Sequence, residues 1–316
     1  MTNRRKLLGG LLAAPALLAA PALAQAAAVL RVGDQRGGIQ PLMEAAGVLN
    51  GLPFRLEWSQ FAGAPMLLEA LNAGAIDTGG IGDAPLTSAI AAGIQAKAVS
   101  AVRSGPAVTA MVVPGDSPVR SVADLKGKTI ATLRGQTGHF LVLAALEREG
   151  LAADAVRFAF IAPDAAKAAL ARGAVDAWAT WGPYISLAKV QDGAREIVNG
   201  DGLMSGQSYQ IAAEAAIAGK RAALAEFLRR LRLAREWGLE NGEEQARVWS
   251  AGTGFPLPVG RDVVAVAATR TIAIDDGVIA AQQRVSDFFA GVKVIPRPHR
   301  VAPAFDSSFN AAVFAA

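Results

Sequence analysis

Thirteen consecutive residues, Arg134-Gly-Gln-Thr-Gly-His-Phe-Leu-Val-Leu-Ala-Ala-Leu146, set a run of hydrogen-bond donors between the apparent strand KTIATL and an apolar helix. Gln136, Thr137, Gly138 and His139 offer backbone N–H groups, a hydroxyl and an imidazole, and the first turn of a helix leaves N–H groups without intrahelical partners. Such a loop can cradle an anion. It can equally be a plain βα turn capped by Thr137. A second concentration lies at Asp176-Ala-Trp178-Ala-Thr-Trp181-Gly-Pro-Tyr184, which holds two of the five Trp and one of the two Tyr. Aromatic side chains at a strand end can wall a cleft around an organic ligand. One of this tryptophan pair is expected in the core beneath the loop, and the spacing does not choose between them.

Other chemistry is poorly supplied. Lys126-Gly-Lys-Thr129 looks like the end of a phosphate-binding P-loop, but Val122 stands where that motif needs Gly. Gly80-Ile-Gly82-Asp-Ala-Pro85 follows a strand as a dinucleotide fingerprint must, yet Pro85 replaces its third Gly. The chain has no Cys, no Gly-x-Ser-x-Gly elbow and two histidines, His139 and His299, so neither a hydrolase triad nor a His-rich metal site is provided for. No spacing pairs carboxylates for acid–base work. The expectation is a protein with no catalytic residues, no metal and no cofactor.

The elements that must position these loops repeat. EALNAGAID (69–77) returns as AALARGAVD (168–176), ninety-nine residues on, with Gly74 matching Gly173 and Asp77 matching Asp176. In each copy an amphipathic helix closes at Gly, a short β-rich run follows, and a loop leads into another helix. The aspartates, at matching positions, suit structural capping better than ligand contact. Upstream, LRV-GDQRGG-IQPLMEAAG echoes IATL-RGQTG-HFLVLAALE. Both halves read β-α-β-α-β, so the fold class is α/β: two lobes, each a mostly parallel sheet flanked by helices. Ligands of such sheets sit beyond the carboxyl ends of strands, which points loops 34–38, 61–64 (opened by Phe61), 82–85, 134–139 and 178–184 at one cleft. Crossover strands are expected near 111–116 and 207–214. The lobes divide as 27–112 with 213–316, and 113–212. Helices over 219–240, 243–251, 259–268 and 277–290 should wrap the first lobe, ahead of an extended tail with a short final helix.

MTNRRKLLGGLLAAPALLAAPALAQA opens on Arg4, Arg5 and Lys6, continues through a mostly apolar run and ends in small residues, which reads as a cleaved export signal over 1–26. Arg4-Arg5 resembles the twin-arginine class or is an ordinary positive n-region. The leader holds three of the 31 Lys and Arg and none of the 27 Asp and Glu, so its removal takes the formal net charge from +4 to +1. A nearly neutral chain has no strong electrostatic reason to bind nucleic acid or an acidic membrane. Arg229, Arg230, Arg232 and Arg235 fall on one helix among Leu and Ala, as a solvated face does.

MLLEALNAGAIDTGGIGDAPLTSAIAAG, VVPGDSPVRSVADLKGKTIATLRGQTGHFLVLAALEREGL and ALARGAVDAWATWGPY together resemble the aliphatic sulfonate-binding proteins of ABC importers, a group with taurine-, nitrate- and thiamine-precursor-binding relatives. The resemblance runs through roughly residues 29–215. It implies a type II periplasmic-binding-protein fold with two crossover strands and a monomer that captures a small anionic organosulfonate and delivers it to a permease and its ATPase. It also implies ligand contact at Gln136, Thr137, Gly138 and His139, which stand where the family has a Ser-Ser-Ala-His type loop. Gln35-Arg36-Gly37 stands for the family's Gln-Lys-Gly, and Gly82-Asp83, Trp178 and Trp181 complete the implied set, to which the aromatic run itself adds Tyr184. Ligand readings within the group are taurine, whose ammonium would need Asp34 or Asp83, nitrate, or a pyrimidine thiamine precursor. A cofactor-biosynthesis enzyme on the same fold is the reading from another class. Mass spectrometry of the exported protein should find a mature N-terminus between Gln25 and Ala28; an intact Met1 on a protein held in the cytoplasm contradicts the leader.

Overall fold

The computed structural model describes residues 28–36 and 38–315; the leader at 1–26 and Gly37 lie outside the described residues. The chain first lays down β1 (Val29–Gln35), α1 (Ile39–Ala45), β2 (Arg55–Phe61), α2 (Ala64–Asn72), β3 (Thr78–Gly82), α3 (Asp83–Ala91) and β4 (Ala96–Arg103). It then builds β5 (Thr109–Val113), β6 (Thr129–Thr132), α4 (Thr137–Arg148), β7 (Arg157–Phe160), α5 (Pro163–Ala171), β8 (Ala177–Trp181), α6 (Pro183–Asp192) and β9 (Arg195–Asn199). It returns through β10 (Gln207–Ala213) and ends in α7 (Glu214–Gly219), α8 (Arg221–Glu240), α9 (Gly242–Thr253), α10 (Leu257–Ala267), β11 (Arg270–Ile272), α11 (Asp276–Gly291) and α12 (Asn310–Val313).

Two sheets result, ordered β11-β4-β10-β3-β1-β2 and β7-β6-β8-β5-β9. The strands with helical crossovers, β2-β1-β3 and β7-β6-β8, run parallel. The expected crossover strands are β5 and β10, and each lies antiparallel to both of its neighbours. β10 joins the first sheet only after the chain has completed the second, and β5 fills the equivalent place in the second. Each lobe is therefore closed by a strand that leads to or from the other, and the links at 104–108 and 200–206 are the covalent joints between them.

The echo has a structural cause. Gly74 and Gly173 end their helices at φ +69° and +68°, a left-handed conformation that a side chain would strain. The aspartate three residues later then stitches the new strand to its parallel neighbour. The Asp77 N–H donates to the Arg31 carbonyl at 2.8 Å and its carboxylate accepts from the Arg31 N–H at 2.8 Å. Asp176 does the same to Thr129, at 2.8 Å each way. These bonds satisfy strand-start backbone groups that the parallel ladder leaves unpaired.

The C-terminal helices bridge the lobes, where the sequence alone suggested that they wrap the first. α8 places Leu224, Phe227, Leu228 and Leu231 on one stripe against Leu30, Val32 and Met43 of the first lobe. α9 packs on α1, but α10 packs on α6 of the second lobe, where Ser186 Oγ donates to the Asp262 carboxylate at 2.7 Å. Across the same divide, Phe140 of α4 meets Phe288 and Phe289 of α11 edge-on, with centroids 5.2 and 5.6 Å apart. The tail is extended with short helical turns, Phe305 bridging to Ala98 before α12.

Asp77 also pairs with Arg31 and Lys220, each at 2.6 Å. Burial works against its charge, but the bonds from Arg31 and Lys220 outweigh it and hold the carboxyl below the usual carboxylate range. A depressed carboxylate contributes stability that is full above the ordinary pKa and is lost as pH falls through the folded value. Asp77→Ala should cost about 1–2 kcal/mol near neutral pH, because it removes the acceptor of the Arg31 N–H and of two half-buried cations, and the cost should shrink on acidification. Denaturant titrations at several pH values measure this; a pH-independent difference would rule out the ionic part.

Candidate functional site

Helix α4 is buried on every side from Gly138 to Leu146, as befits a helix lying between the second sheet and the first lobe. Its first turn rests directly on β8: a Cβ at Gly138 would come within 3 Å of the Ala179 carbonyl and the Thr132 hydroxyl, so only glycine allows this approach. Gln136, the residue before the helix, is extended, and no side chain caps the α4 N-terminus. The partial positive charge of that turn and its unpaired donors therefore face the space between the lobes.

That space is a cleft of about 620 Å³. Gln35, Arg36, Gly82 and Asp83 line it from the first lobe, and Gln136, Thr137 and Trp181 from the second. The lobes touch beside it, through Ser88 Oγ donating to the Gly135 carbonyl at 3.2 Å and the Tyr184 hydroxyl to that of Ala62 at 3.5 Å. Arg36 stacks over the Phe255 ring at 4.4 Å to the centroid, and no carboxylate among the described residues pairs with it. Phe61 and Tyr184 sit one step away, in a side hollow of about 480 Å³ that shares Arg36 with the cleft.

Gly138, His139 and Trp178 lie behind the cleft wall. The His139 ring is edge-on to Phe158 and Phe160 at 4.8 and 5.2 Å, and its Nδ1 accepts from the Gly135 N–H at 3.2 Å. Burial, with Arg134 nearby, pushes its pKa down to about 4, so the imidazole is neutral and stiffens the loop from within. Trp178 is 1% exposed in the core with Ile185 and Val259, because β8 is an inner strand covered on both faces. Trp181, at the end of β8, is the tryptophan of the pair that reaches the cleft.

The first lobe handles its helix ends differently. Asp34 accepts from the backbone N–H groups of Gln35, Ile39 and Gln40 at 2.9, 3.0 and 2.9 Å, and from Gln60, so α1 is capped by its own chain. At α3, the Asp83 carboxylate accepts from the Ala84 N–H at 2.7 Å and from Ser205 Oγ at 2.9 Å, while burial pushes its pKa up to about 6. Arg235 also lines the cleft, from α8. The expected solvated arginine face holds only in part: Arg229 and Arg230 pair with Glu226 and Arg232 with Glu236, but Arg235 is 8% exposed. Periodicity could have separated it, since Arg235 falls four residues after Leu231 on the buried stripe.

Paired sheets with exchanged strands, and a cleft walled by loops from both, define the two-lobed periplasmic-binding-protein fold. The chain belongs to the NMT1/THI5-like family, whose model matches residues 60–245. It is similar to the alkanesulfonate-binding protein SsuA from Xanthomonas axonopodis pv. citri, solved bound to MOPS: 31% identity, 88% of this chain and 98% of that one covered, TM-score 0.83. It is similar also to the periplasmic aliphatic sulphonate binding protein SsuA from Escherichia coli, with 30% identity, 91% and 99% covered, and TM-score 0.79. A desulfurization enzyme, DszB, shares the fold alone, at 18% identity over 90% of this chain and 99% of that one, with TM-score 0.64.

A histidine kept neutral by burial stabilises the folded state fully above its unfolded pKa, and that contribution disappears as pH falls toward the folded value. Between pH 6.5 and about 4, His139 should remove about 3 kcal/mol of stability, a slope that His139→Gln should lack. Unfolding titrations across this range test it; equal slopes in both proteins would mean that His139 titrates as in water.

Proposed function

We propose that this chain is the periplasmic solute-binding protein of an ABC importer and that its cleft takes a small organosulfonate, with the sulfonate on the N-terminus of α4. The observation that carries the reading is the uncapped first turn of α4 facing the cleft, opposite the starts of α1 and α3, which Asp34 and Asp83 already fill. A sulfonate spreads one charge over three acceptor oxygens and suits several modest donors held in place beforehand. Backbone N–H groups and the Thr137 hydroxyl supply them, Arg36 adds a charge from the facing lobe, and Trp181 offers an apolar wall. Likeness to the two sulfonate-binding proteins supports the same ligand class.

Taurine is less well served, because the oxygens of Asp34 and Asp83 already accept from Gln35, Ile39, Gln40, Ala84 and Ser205. Nitrate would leave most of a 620 Å³ cleft unfilled. The protein does no covalent chemistry. The two sheets move as two bodies about the links at 104–108 and 200–206 that lead into β5 and β10. A ligand that bridges them favours closure, and the permease with its ATPase reads the closed surface of a monomer.

Isothermal titration of a short alkanesulfonate tests the reading. Thr137→Val keeps the shape and removes one donor to a bound anion, and should weaken binding about ten- to a hundredfold, the equivalent of roughly 1.5–3 kcal/mol. Trp181→Ala should also weaken binding, while Trp178→Ala should lower the melting temperature. Unchanged affinity in Thr137→Val would move the anion away from α4.

A further inference from the structure

Arg235 stands apart from the other arginines of its helix. Arg229, Arg230 and Arg232 each meet a glutamate at 2.7 to 2.9 Å. Arg235 is 8% exposed, lines the cleft, and donates from one nitrogen to a neutral group, the Thr271 hydroxyl, at 3.1 Å. A guanidinium carries five N–H donors in a fixed fork that matches a carboxylate. Among the described residues no carboxylate comes within ion-pair distance of it. Asp34 is the nearest source of negative field, and its oxygens are committed to the α1 N-terminus. A charge so deep without an ionic partner is costly, and a residue serving only to fill this wall would be apolar. Burial pulls the Arg235 pKa down to about 10, which still leaves it protonated at neutral pH.

We infer that Arg235 is a second anion-recognition point of the cleft, and that the preferred ligand is a sulfonate bearing a carboxylate at the far end of a short alkyl chain, an ω-sulfocarboxylate. This rests on the reading of α4 as the sulfonate site. The two points belong to different lobes, Thr137 to the second and Arg235 to the first, so a ligand charged at both ends would tie the lobes together. The cleft has room for the chain, and Ile39, Leu42, Ile81 and Val102 give it apolar lining. Arg235 then gains the ionic partner that the protein itself withholds.

Calorimetric titration of ω-sulfocarboxylates of graded chain length, each against the alkanesulfonate of equal length, tests the assignment on wild type, Arg235→Gln and Arg235→Lys, with melting curves for folding. The wild type should prefer one sulfocarboxylate by about tenfold or more, as a buried charge pair does. Arg235→Gln should abolish that preference by weakening the sulfocarboxylate about tenfold more than the alkanesulfonate of equal length, and Arg235→Lys should keep part of it. If Arg235→Gln does not fold, the wild-type preference and the lysine variant still decide. Three results overturn the inference. These are wild type binding both series equally, a folded Arg235→Gln that keeps the preference, and a folded Arg235→Gln that loses both series alike, which would make Arg235 the sulfonate site. Wild type binding neither series would instead remove the sulfonate reading on which the inference stands.

Discussion

A helix that begins against a strand end must find acceptors for its first N–H groups, and the two repeats of this chain meet that constraint in opposite ways. In the first, Asp34 turns back and caps α1. In the register that pairs Arg31 with Thr129 the matching position is Thr132, which offers a hydroxyl and no charge, and α4 starts without a side-chain cap. The same contrast recurs two helices on, where Asp83 fills the start of α3 while Gly182 and Pro183 begin α6. At these two places the first lobe supplies its own carboxylates and the second leaves the helix start without one. A cleft formed between them is electrostatically lopsided before any ligand arrives.

The strand exchange turns that asymmetry into a joint site. Because β5 and β10 each complete the sheet of one lobe while leading to or from the other, the ends of β3 and β8 are held on facing sides of a shared boundary. A Cβ on Gly82 would meet the Thr137 methyl at 2.7 Å, so the first lobe comes up to the α4 turn with nothing larger than hydrogen between them. The aromatic contacts of Phe140 with Phe288 and Phe289 keep α4 pressed to the first lobe behind the cleft.

Fold alone leaves the chemistry open, since DszB shares this architecture with sulfonate-binding proteins. What narrows it here is the character of the polar groups in the cleft. Backbone donors, hydroxyls, amides and the two guanidinium groups of Arg36 and Arg235 face the space, with the already hydrogen-bonded carboxylates of Asp34 and Asp83 among aliphatic and aromatic side chains.

The sequence by itself determined the duplicated β-α-β-α-β plan, the exchanged strands, the glycines and aspartates that terminate helices and stitch strands, and the loop that presents donors. Each depends on local backbone geometry or short-range periodicity, which a linear pattern records. Tertiary structure alone decided what each side chain faces. Trp178 and Trp181 are three residues apart on one strand, yet only the one at the strand end escapes the covering helices. His139 belongs to the donor loop by position and to an aromatic core by packing. Asp34 was legible as a carboxylate near the cleft but not as a cap, because its partners lie on a helix whose direction the chain sets only on folding. Arg235 reads as one more charge in a basic helix until α1, β11 and the lobe boundary close around it, since whether a charge is solvated or buried is a property of its neighbours in space and not of its neighbours in sequence.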